Sequence, residues 1–471
     1  MSIPSVERVI PRPSDRQRRA PSGADIRVVA DEIRVVDAAS ESSDKSGNWF
    51  ALFGAAASLL AMAAFGYLGL TDRADTTSGL VLVPLFAIVG YFAIRRWISL
   101  AYGNWLGSVI FAGFGLRLLA AAPRLLGGAD APVYQREGVR IARSLRQFDL
   151  TVETGRSVPG TGSVRYLSGI VNVFTGGSYM ATFLVFVTMA LVGQATFLLG
   201  VRRSLAPRQF RAVAVLVAFS PTLAFWPSSV GKESPTLFGI GLAVFGASRL
   251  YDRRWSGAPP VLLGVFAIGM VRPHVAMVVL AAVLMGLFAR RAHTRGRLAS
   301  HSALLLVVLL GSMWAANASA ELFGLESLDG FSDVSAALDF TEARTTQDQS
   351  QFTAARVETP LDYPRAAVTV LFRPFPWEAD SAVGLLSSIE GIFMMLLVLG
   401  ALPGMVWRAG KVLQTGQLLL AVSFTSVFIY LFSAIGNFGI LSRQRAQVVP
   451  FVLLLIAFGL AASEKRRRVQ P

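Results

Sequence analysis

The chain lacks cysteine altogether, and it contains only three histidines among its 471 residues. The absence of cysteine excludes disulfide bonds, thiolate metal ligands and cysteine nucleophiles. His274, His293 and His301 form no His-x-x-x-His pair, so a zinc site built from histidines is not expected. Charged residues make up 15% of the chain, whereas they make up about 25% of an average soluble domain. These shortages argue against a soluble enzyme, and we predict no metal centre and no organic cofactor.

Hydrophobic residues, in contrast, make up 53% of the chain, and its mean hydropathy is +0.54. They occur in blocks and do not alternate with polar residues. A helix needs about 20 apolar residues to cross a bilayer, and blocks near this length recur from Trp49 onward. We therefore predict an all-α polytopic membrane protein with about twelve transmembrane helices, in a range of about eleven to thirteen. The predicted spans are 49–70, 79–95, 105–122, 179–200, 211–229, 235–250, 259–272, 274–289, 302–319, 388–407, 417–435 and 447–462.

The remaining segments define the domain organisation. Residues 1–48 are rich in Arg, Ser, Asp and Pro and contain no aromatic residue, which predicts a disordered cytoplasmic tail. Residues 49–104 hold two additional N-terminal helices, residues 105–462 form the transmembrane catalytic core, and residues 463–471 form a basic cytoplasmic tail. The core contains two large loops on the outer side of the membrane, residues 123–178 and 320–387. Both loops have apolar residues at helical spacing, as in 134–148, where Ile141, Ala142 and Phe148 can share one face, so we expect amphipathic helices there.

Basic residues predict the orientation. The chain has 44 basic and 29 acidic residues, a net charge of +15. If the N-terminal tail is cytoplasmic, the inner short loops contain fifteen basic residues and the outer short loops contain five, which are Arg73, Lys232, Arg272, Arg443 and Arg445. This asymmetry is the positive-inside pattern, and an even number of spans places both termini in the cytoplasm. The positive charge is therefore a topological signal, and we predict no nucleic-acid partner.

Asp130, in GGADAPVY (127–134), follows the third predicted helix at the start of the first outer loop. A carboxylate at such a junction can act as a general base or bind a divalent cation. The structural alternative is that Asp130 caps the next helix, since Asp-Ala-Pro is a favourable helix start.

Lys232 and Glu233, in FWPSSVGKESPT (225–236), lie between two apolar runs. An unpaired charge is costly there, so these side chains should face a cavity or each other. The alternative is a tight loop with an ordinary surface ion pair.

Basic residues on the outer side form the rest of the candidate site. Arginine is disfavoured there by the positive-inside rule, and its guanidinium suits phosphate in two-point contacts. We expect Lys232, Arg272, Arg373, Arg443 and Arg445 to lie at one membrane level near Asp130. Prolines and aromatic residues in LFRPFPWEADS (371–381), which includes Trp377, predict an ordered interfacial or re-entrant element.

Five short stretches together resemble bacterial C-type membrane glycosyltransferases, which depend on polyprenyl phosphates, and the related O-antigen-polymerase-like and exopolysaccharide-polymerase-like proteins. Asp130 matches the position of the catalytic acidic residue in C-type enzymes. Those enzymes often pair two acids there, whereas Ala129 and Ala131 flank the single Asp130 in this chain. The stretches, scattered over 105–462, are GGADAPVY, FWPSSVGKESPT, MVRPH, LFRPFPWE and NFGILSRQRAQ.

The resemblance implies a glycosyltransferase or glycan polymerase of the bacterial cytoplasmic (inner) membrane. It would move a sugar or glycan from a polyprenyl-(di)phosphate donor to a glycan or lipid acceptor at the extracytoplasmic face, in synthesis of cell-envelope polysaccharide or glycoconjugates. Asp130 would be the base and Lys232, Arg272, Arg443 and Arg445 would stabilise the leaving phosphate. Glu233, Arg373 and Trp377 would also contact substrate.

Two other classes of protein remain open. A secondary transporter or a flippase of lipid-linked glycans is compatible with twelve helices, although no internal repeat relates the two halves of the sequence. A non-catalytic assembly protein is the third possibility.

Overall fold

The structure is a computed structural model that describes residues 23–71, 76–127, 130–288, 331–345 and 350–469. The described residues fold into helices joined by short connections. Their only β-type pairing is an isolated antiparallel bridge between Gln351 and Asn437. The predicted all-α class is confirmed for this part of the chain.

Eighteen helices are numbered here in chain order, and short helical turns join several of them. They are α1 (Gly23–Leu70), α2 (Thr76–Ile94), α3 (Asn104–Gly127), α4 (Ala131–Arg146), α5 (Thr161–Thr175), α6 (Tyr179–Val201), α7 (Pro207–Phe219), α8 (Pro221–Phe225), α9 (Glu233–Tyr251), α10 (Ala258–Val271), α11 (Pro273–Phe288), α12 (Phe331–Thr345), α13 (Tyr363–Phe372), α14 (Ala382–Trp407), α15 (Ala409–Gln414), α16 (Gly416–Phe432), α17 (Phe438–Arg445) and α18 (Val449–Val469).

Five of the described helical segments are long and apolar enough to cross a membrane, or six if α17 and α18, which are bent by 62°, count as one span. The structure does not confirm twelve spans. Three predicted spans, 259–272, 274–289 and 417–435, coincide with shorter apolar helices, and the predicted span 302–319 lies outside the described residues. The five segments are Ser46–Leu70, Gly79–Tyr102, Asn104–Gly127, Tyr179–Ser204 and Ala382–Trp407.

The predicted span 211–229 is interrupted in the structure. Helix α7 ends at Phe219, and α8 is a separate turn that begins at Pro221. Ser220 has φ −56° and ψ 122°, a non-helical conformation that the following proline favours. The Ser220 hydroxyl accepts a hydrogen bond from the Leu223 N–H and so caps the new helix.

The N-terminal tail also differs from the sequence prediction. Residues 23–48, for which disorder is predicted, are the first part of α1, while residues 1–22 lie outside the described residues. Extending an existing helix costs less than starting one, so the apolar half of α1 can propagate helix into the polar half. Similarly, α18 continues through the basic segment that begins at residue 463.

Large hydrophobic side chains are exposed on the apolar part of α1 from Trp49 onward, on α2 and on α14. Leu59, Leu60, Ile88, Phe92 and Phe393 are each more than half exposed. A continuous surface of this kind is unfavourable in water and suits contact with lipid. Together with the span lengths, it supports membrane protein character.

Small residues allow the central helices α6, α9 and α10 to pack closely. A Cβ atom on Gly241 would overlap the Gly193 carbonyl oxygen of α6, and one on Gly239 would overlap the Gly264 carbonyl oxygen of α10. Such small-residue contacts are typical of helices that associate in membranes. Because α9 and α10 pack tightly and are joined by a short connection at one end, the start of α9 and the end of α10 lie together at the other.

The first long segment between predicted spans, 123–178, contains the amphipathic pair α4 and α5, which pack against each other. Gln135 and Asn172 exchange side-chain hydrogen bonds of 2.9 and 3.2 Å in their interface. Ile141 and Ala142 are buried as the predicted face requires, but Phe148 is 91% exposed. It lies beyond the end of α4 and therefore does not share the helix face.

Candidate functional site

Charged side chains from five parts of the fold meet at the end of α3. Arg443 Nη1 lies 2.9 Å from Asp130 Oδ2, and its Nε lies 3.5 Å from Glu233 Oε1. Arg272 Nη2 donates a 2.7 Å hydrogen bond to the same Glu233 oxygen. We call Arg124, Asp130, Lys232, Glu233, Arg272 and Arg443 the charged cluster, because each interacts electrostatically with other members.

The local sequence explains how Glu233 and Arg272 are placed. Glu233 begins α9, where a negative charge is favoured by the helix dipole. The Ser234 hydroxyl donates a 2.6 Å hydrogen bond to the Pro227 carbonyl oxygen and so fixes the preceding turn. Arg272 directly follows α10, and Pro273 starts α11. Both charged side chains are about 95% buried, which fits a pair that balances its own charge.

Asp130 precedes α4 at the position of a helix cap, but its side chain makes no capping hydrogen bond. Its Oδ2 atom instead binds Arg443, 313 residues away in sequence. The side chain is 55% exposed, and within the described residues its other oxygen has no hydrogen-bond partner. The capping alternative is thus not what the geometry shows, and Asp130 retains an accessible carboxylate oxygen.

Lys232 lies in the turn before α9 and is half-buried. Its ammonium group makes no hydrogen bond or ion pair with any described residue. Burial, together with the positive charge of Arg272, lowers the pKa of Lys232 to about 8, although Glu233 opposes the shift. A lysine in this state would gain from a nearby anion.

Arg124 is not among the site residues predicted from the sequence, and it completes the cluster. Its Nη2 donates a 3.1 Å hydrogen bond to the Ser229 hydroxyl, and its guanidinium lies 5.2 Å from the ring centroids of Phe225 and Trp226. Among the described residues, neither the buried Nε of Arg124 nor the buried Nη1 of Arg272 has a hydrogen-bond partner. A basic residue at the end of an apolar run is also a common interfacial anchor, so its sequence signal is weak.

Four cationic groups and two carboxylates give the charged cluster a net charge of +2. The unpartnered N–H donors also indicate that the cluster lacks negatively charged acceptors, because buried donors in folded proteins nearly always have an acceptor. Buried Tyr134 adds a hydroxyl beside the cluster, and burial, with the charge of Asp130, raises the pKa of Tyr134 to about 12, so the phenol stays protonated. The arrangement suits an oxyanion such as phosphate.

Three predicted site residues lie elsewhere. Arg373 forms an ion pair with Glu378 and lies over the rings of Phe352 and Phe438, with its guanidinium carbon 4.7 and 5.0 Å from their centroids. Arg445 is buried and donates to the carbonyl oxygens of Val370 and Arg373. These contacts occupy both guanidinium groups within the protein.

The third of these residues is Trp377. It is 79% exposed and stacks on Phe375, with 5.0 Å between the ring centroids. It belongs to the short turn Pro376–Glu378, whose neighbouring residues border a cavity. A direct contact between Trp377 and the charged cluster is not seen.

The cavity has a volume of about 310 Å³ and lies next to the charged cluster, since Arg124 lines both. Four helical regions contribute to its wall: the end of α3, the end of α8, the start of α14 and α17. Its lining includes Arg124, Phe225, Trp226, Ser350, Glu378, Asp380, Ser381, Ser387, Phe438 and Ser442.

A second group of buried charges surrounds the break between α7 and α8. Arg117, from the middle of α3, donates to the carbonyl oxygens of Gly113 and Ala218 and to the Gln194 side chain. Glu390, from α14, accepts hydrogen bonds from the N–H and hydroxyl groups of Thr222 at 2.8 and 2.6 Å. The signal for these residues was available in the sequence, because each is a charged residue inside an apolar run.

Among the described residues, no group of three or more His, Cys, Asp or Glu side chains could hold a metal ion. Comparison of the chain with protein-family models, curated proteins and solved structures finds no match. The charged cluster and the adjacent cavity are therefore the features that bear on function.

Proposed function

We propose that the chain is a membrane glycosyltransferase or glycan polymerase that uses a polyprenyl-phosphate or polyprenyl-diphosphate donor. The observation that carries this proposal is the charged cluster, with its net positive charge and unpartnered buried N–H donors. A phosphate group would supply the missing negative charge and hydrogen-bond acceptors. As the leaving group of a glycosyl transfer, it would gain further negative charge in the transition state.

The proposed chemistry assigns separate tasks to the cluster residues. The acceptor hydroxyl oxygen bonds to the anomeric carbon of the donor sugar, and the bond from that carbon to the phosphate oxygen breaks. The electron pair leaves with the phosphate, which Arg272, Arg443 and Lys232 stabilise. Asp130 takes the proton of the attacking hydroxyl through its accessible oxygen. Glu233 is held by two arginines and serves to position them.

The lipid part of the donor also finds a suitable surface. Helix α14 begins beside the cavity and exposes Leu385, Leu386, Ile389 and Phe393 over its next three turns. A polyprenyl chain needs an apolar surface in the region of the phosphate site, and α14, which begins at the cavity next to the charged cluster, exposes one. The bilayer is thus part of the binding site.

A flippase of lipid-linked glycans is the second candidate, and the interrupted helix α7–α8 is the observation that favours it. Discontinuous helices with nearby buried charges occur at the transport sites of secondary transporters. In this chain, Arg117 and Glu390 at the break are bound by the protein's own groups. Because these two charged side chains already have partners within the protein, they are less suited to bind a transported substrate, which favours the transferase over the flippase.

The test is transfer by the purified chain in nanodiscs, which have no compartments and so cannot register transport. Radiolabelled sugars on polyprenyl phosphate and polyprenyl diphosphate are offered with extracted envelope glycans and lipids, and label in the acceptor fraction is measured. We expect transfer by wild type and none by the R272A/R443A double variant. The matched control is R136A/R143A, which removes two exposed arginines of α4.

Label that crosses proteoliposome membranes while remaining on the donor would contradict the transferase and support the flippase.

We place the reaction at the extracytoplasmic face of a bacterial inner membrane, with both termini cytoplasmic, on the strength of the basic-residue asymmetry. The chain has no cysteine, so a single introduced thiol gives an unambiguous label. In intact spheroplasts, a membrane-impermeant maleimide should label Ser157→Cys, in the loop between α4 and α5, and should spare Gly410→Cys, between α14 and α16. The reverse pattern would overturn the orientation.

A further inference from the structure

The cavity beside the charged cluster has a wall of mixed chemistry. Aromatic rings of Phe225, Trp226 and Phe438 provide flat apolar faces, while serine hydroxyls and the carboxylate of Asp380 provide hydrogen-bonding groups. Its volume of about 310 Å³ is near the lower end of the range for small-molecule sites. A pyranose ring has the same two characters, with apolar C–H faces and an equatorial belt of hydroxyl groups.

Two hydroxyl groups in the wall lack partners although their residues are almost fully buried. Ser387 is 5% exposed and Ser442 is 4% exposed, and neither hydroxyl makes a hydrogen bond with a described residue. Ser388, next to Ser387 on α14, differs because its hydroxyl donates a 2.8 Å hydrogen bond to the Gly384 carbonyl oxygen. Because both residues line the cavity and neither hydroxyl has a partner among the described residues, Ser387 and Ser442 are suited to bind a polar molecule there.

The acidic residues of the cavity wall indicate whether a neutral or an anionic group of a ligand binds in the cavity. Glu378 is already paired with Arg373, and Asp380 accepts a 2.9 Å hydrogen bond from the Ser350 hydroxyl through Oδ2. Within the described residues, Asp380 Oδ1 has no partner. Two carboxylates repel a phosphate but accept hydrogen bonds from neutral hydroxyl groups. A neutral polyhydroxyl group therefore fits the cavity, and the anion fits on the far side of Arg124.

Two consecutive residues of α17 connect the cavity with the charged cluster, in addition to Arg124, which belongs to both. Ser442 lines the cavity, and the next residue of α17, Arg443, binds Asp130 and Glu233 in the charged cluster. Successive residues of a helix are rotated by about 100°, so α17 presents one to each site. A ligand with a sugar bonded directly to a phosphate would span this boundary.

We propose that the cavity binds the sugar ring of the donor, with the phosphate of the same molecule in the charged cluster. Ser387, Ser442 and Asp380 hydrogen-bond the sugar hydroxyl groups, and Trp226 or Phe438 stacks on its apolar face. This inference rests on the proposed function, because it takes the phosphate site as given. It names the ligand class of the cavity as a glycosyl phosphate.

The experiment compares Kd values of the full-length protein in nanodiscs for inorganic phosphate and for glucose, mannose and galactose 1-phosphate. We expect at least one hexose 1-phosphate to bind about tenfold more tightly than inorganic phosphate, since two or more hydrogen bonds are added. Ser387→Ala and Ser442→Ala should each reduce this advantage by about threefold to tenfold. Ser388→Ala, the matched control, should retain the full advantage.

The outcomes separate this inference from the function on which it rests. Binding of inorganic phosphate with no advantage for any hexose 1-phosphate would overturn the sugar site and leave the phosphate site standing. Failure of all four compounds to bind would overturn both. If a serine variant fails to fold, Asp380→Ala, at an exposed side chain, removes the acceptor and provides the same comparison, and an undiminished sugar advantage in that variant would reject the cavity as the site.

Discussion

Helix α3 carries two arginines whose surroundings differ. Arg117 lies in the middle of the helix, is fully buried, and is bound by backbone carbonyl groups and Gln194. Arg124 lies seven residues later, where it joins three other cations and only two carboxylates. Around Arg117, the ends of α7 and α8 complement the charges, because a helix C-terminus favours a cation and an N-terminus favours an anion such as Glu390. Around Arg124, the described residues supply two carboxylates for four cationic groups, which leaves a net positive charge.

The comparison separates two uses of a buried charge. At the helix break, charged groups satisfy polar backbone groups that an interrupted helix exposes, so they contribute to folding. In the charged cluster, the cationic groups outnumber the carboxylates of the described residues, and we propose that this surplus of positive charge binds an anion. Substitutions in the two regions should therefore affect different measurements.

The largest expected effect is that of Asp130→Asn on sugar transfer. The amide cannot accept the proton of the acceptor hydroxyl, so kcat should fall by about 10² to 10⁴-fold. Donor affinity and thermal stability should stay near wild type, because Asp130 is half-exposed and makes no cap. A folded Asp130→Asn protein that binds donor and turns over normally would reject Asp130 as the base and direct attention to Asp380.

Arg443→Ala should reduce donor use by about 10²-fold, since it removes a cation from the leaving phosphate. Arg443→Lys keeps the charge but loses the two-point contact and should lie between the alanine variant and wild type. Thermal unfolding should change little, because Glu233 keeps Arg272 as its partner. Measurement of kcat and KM for the donor tests this prediction. Wild-type values in Arg443→Ala would mean that Arg443 does not belong to the phosphate site.

Glu390→Leu tests the helix break. We expect it to lower stability and to leave phosphate binding unchanged, the reverse of the variants in the charged cluster. The Ser220 hydroxyl also donates to Glu390, so the substitution leaves the Thr222 N–H and the hydroxyl groups of Ser220 and Thr222 without their acceptor. This loss should cost about 2 kcal/mol of stability. The unfolding midpoint should fall by several degrees, whereas phosphate affinity of the folded protein should remain within about twofold. Exposed Glu358→Leu is the control. Unchanged stability with lost transfer would mean that Glu390 acts in the chemistry.

The smallest expected effect is the pH dependence that Lys232 gives to phosphate binding. Its pKa of about 8 means that the ammonium is charged below pH 8 and neutral above it. Affinity for geranyl phosphate, which is already a dianion at pH 7, should therefore fall by about threefold to tenfold between pH 7 and pH 9.5. Lys232→Arg stays charged and should flatten this profile, so equal profiles for the two proteins would exclude Lys232 from the site.

Much of the fold could be predicted because bilayer thickness imposes a minimum length on apolar runs. The predicted spans 49–70, 105–122 and 179–200 coincide with long apolar helices of the structure. The break at Ser220 is less visible, because apolar residues continue on both sides and a proline inside an apolar run does not always interrupt a helix. Residues 211–229 are therefore predicted as one span from the sequence but form two helices in the structure.

The candidate site was predictable only in part. Charged residues at helix ends were recognisable, and the structure brings Asp130, Lys232, Glu233, Arg272 and Arg443 together. Their roles in catalysis and binding remain predictions. Arg124 was missed because nothing in its own sequence neighbourhood distinguishes a site residue from an interfacial anchor.

Arg443 and Arg445 show what the sequence by itself determined and what tertiary structure decided. The sequence determined the helical class, the apolar segments and the positions of charged residues near their ends, because these depend on local composition and on the cost of placing charge in lipid. Residues two apart on a helix point about 200° from each other, so Arg443 enters the charged cluster while Arg445 faces the carbonyl groups of α13 and its end. Only the packing of α17 against α8, α13 and α14 decides which side meets which partner, since the contact between Asp130 and Arg443 joins residues 313 positions apart.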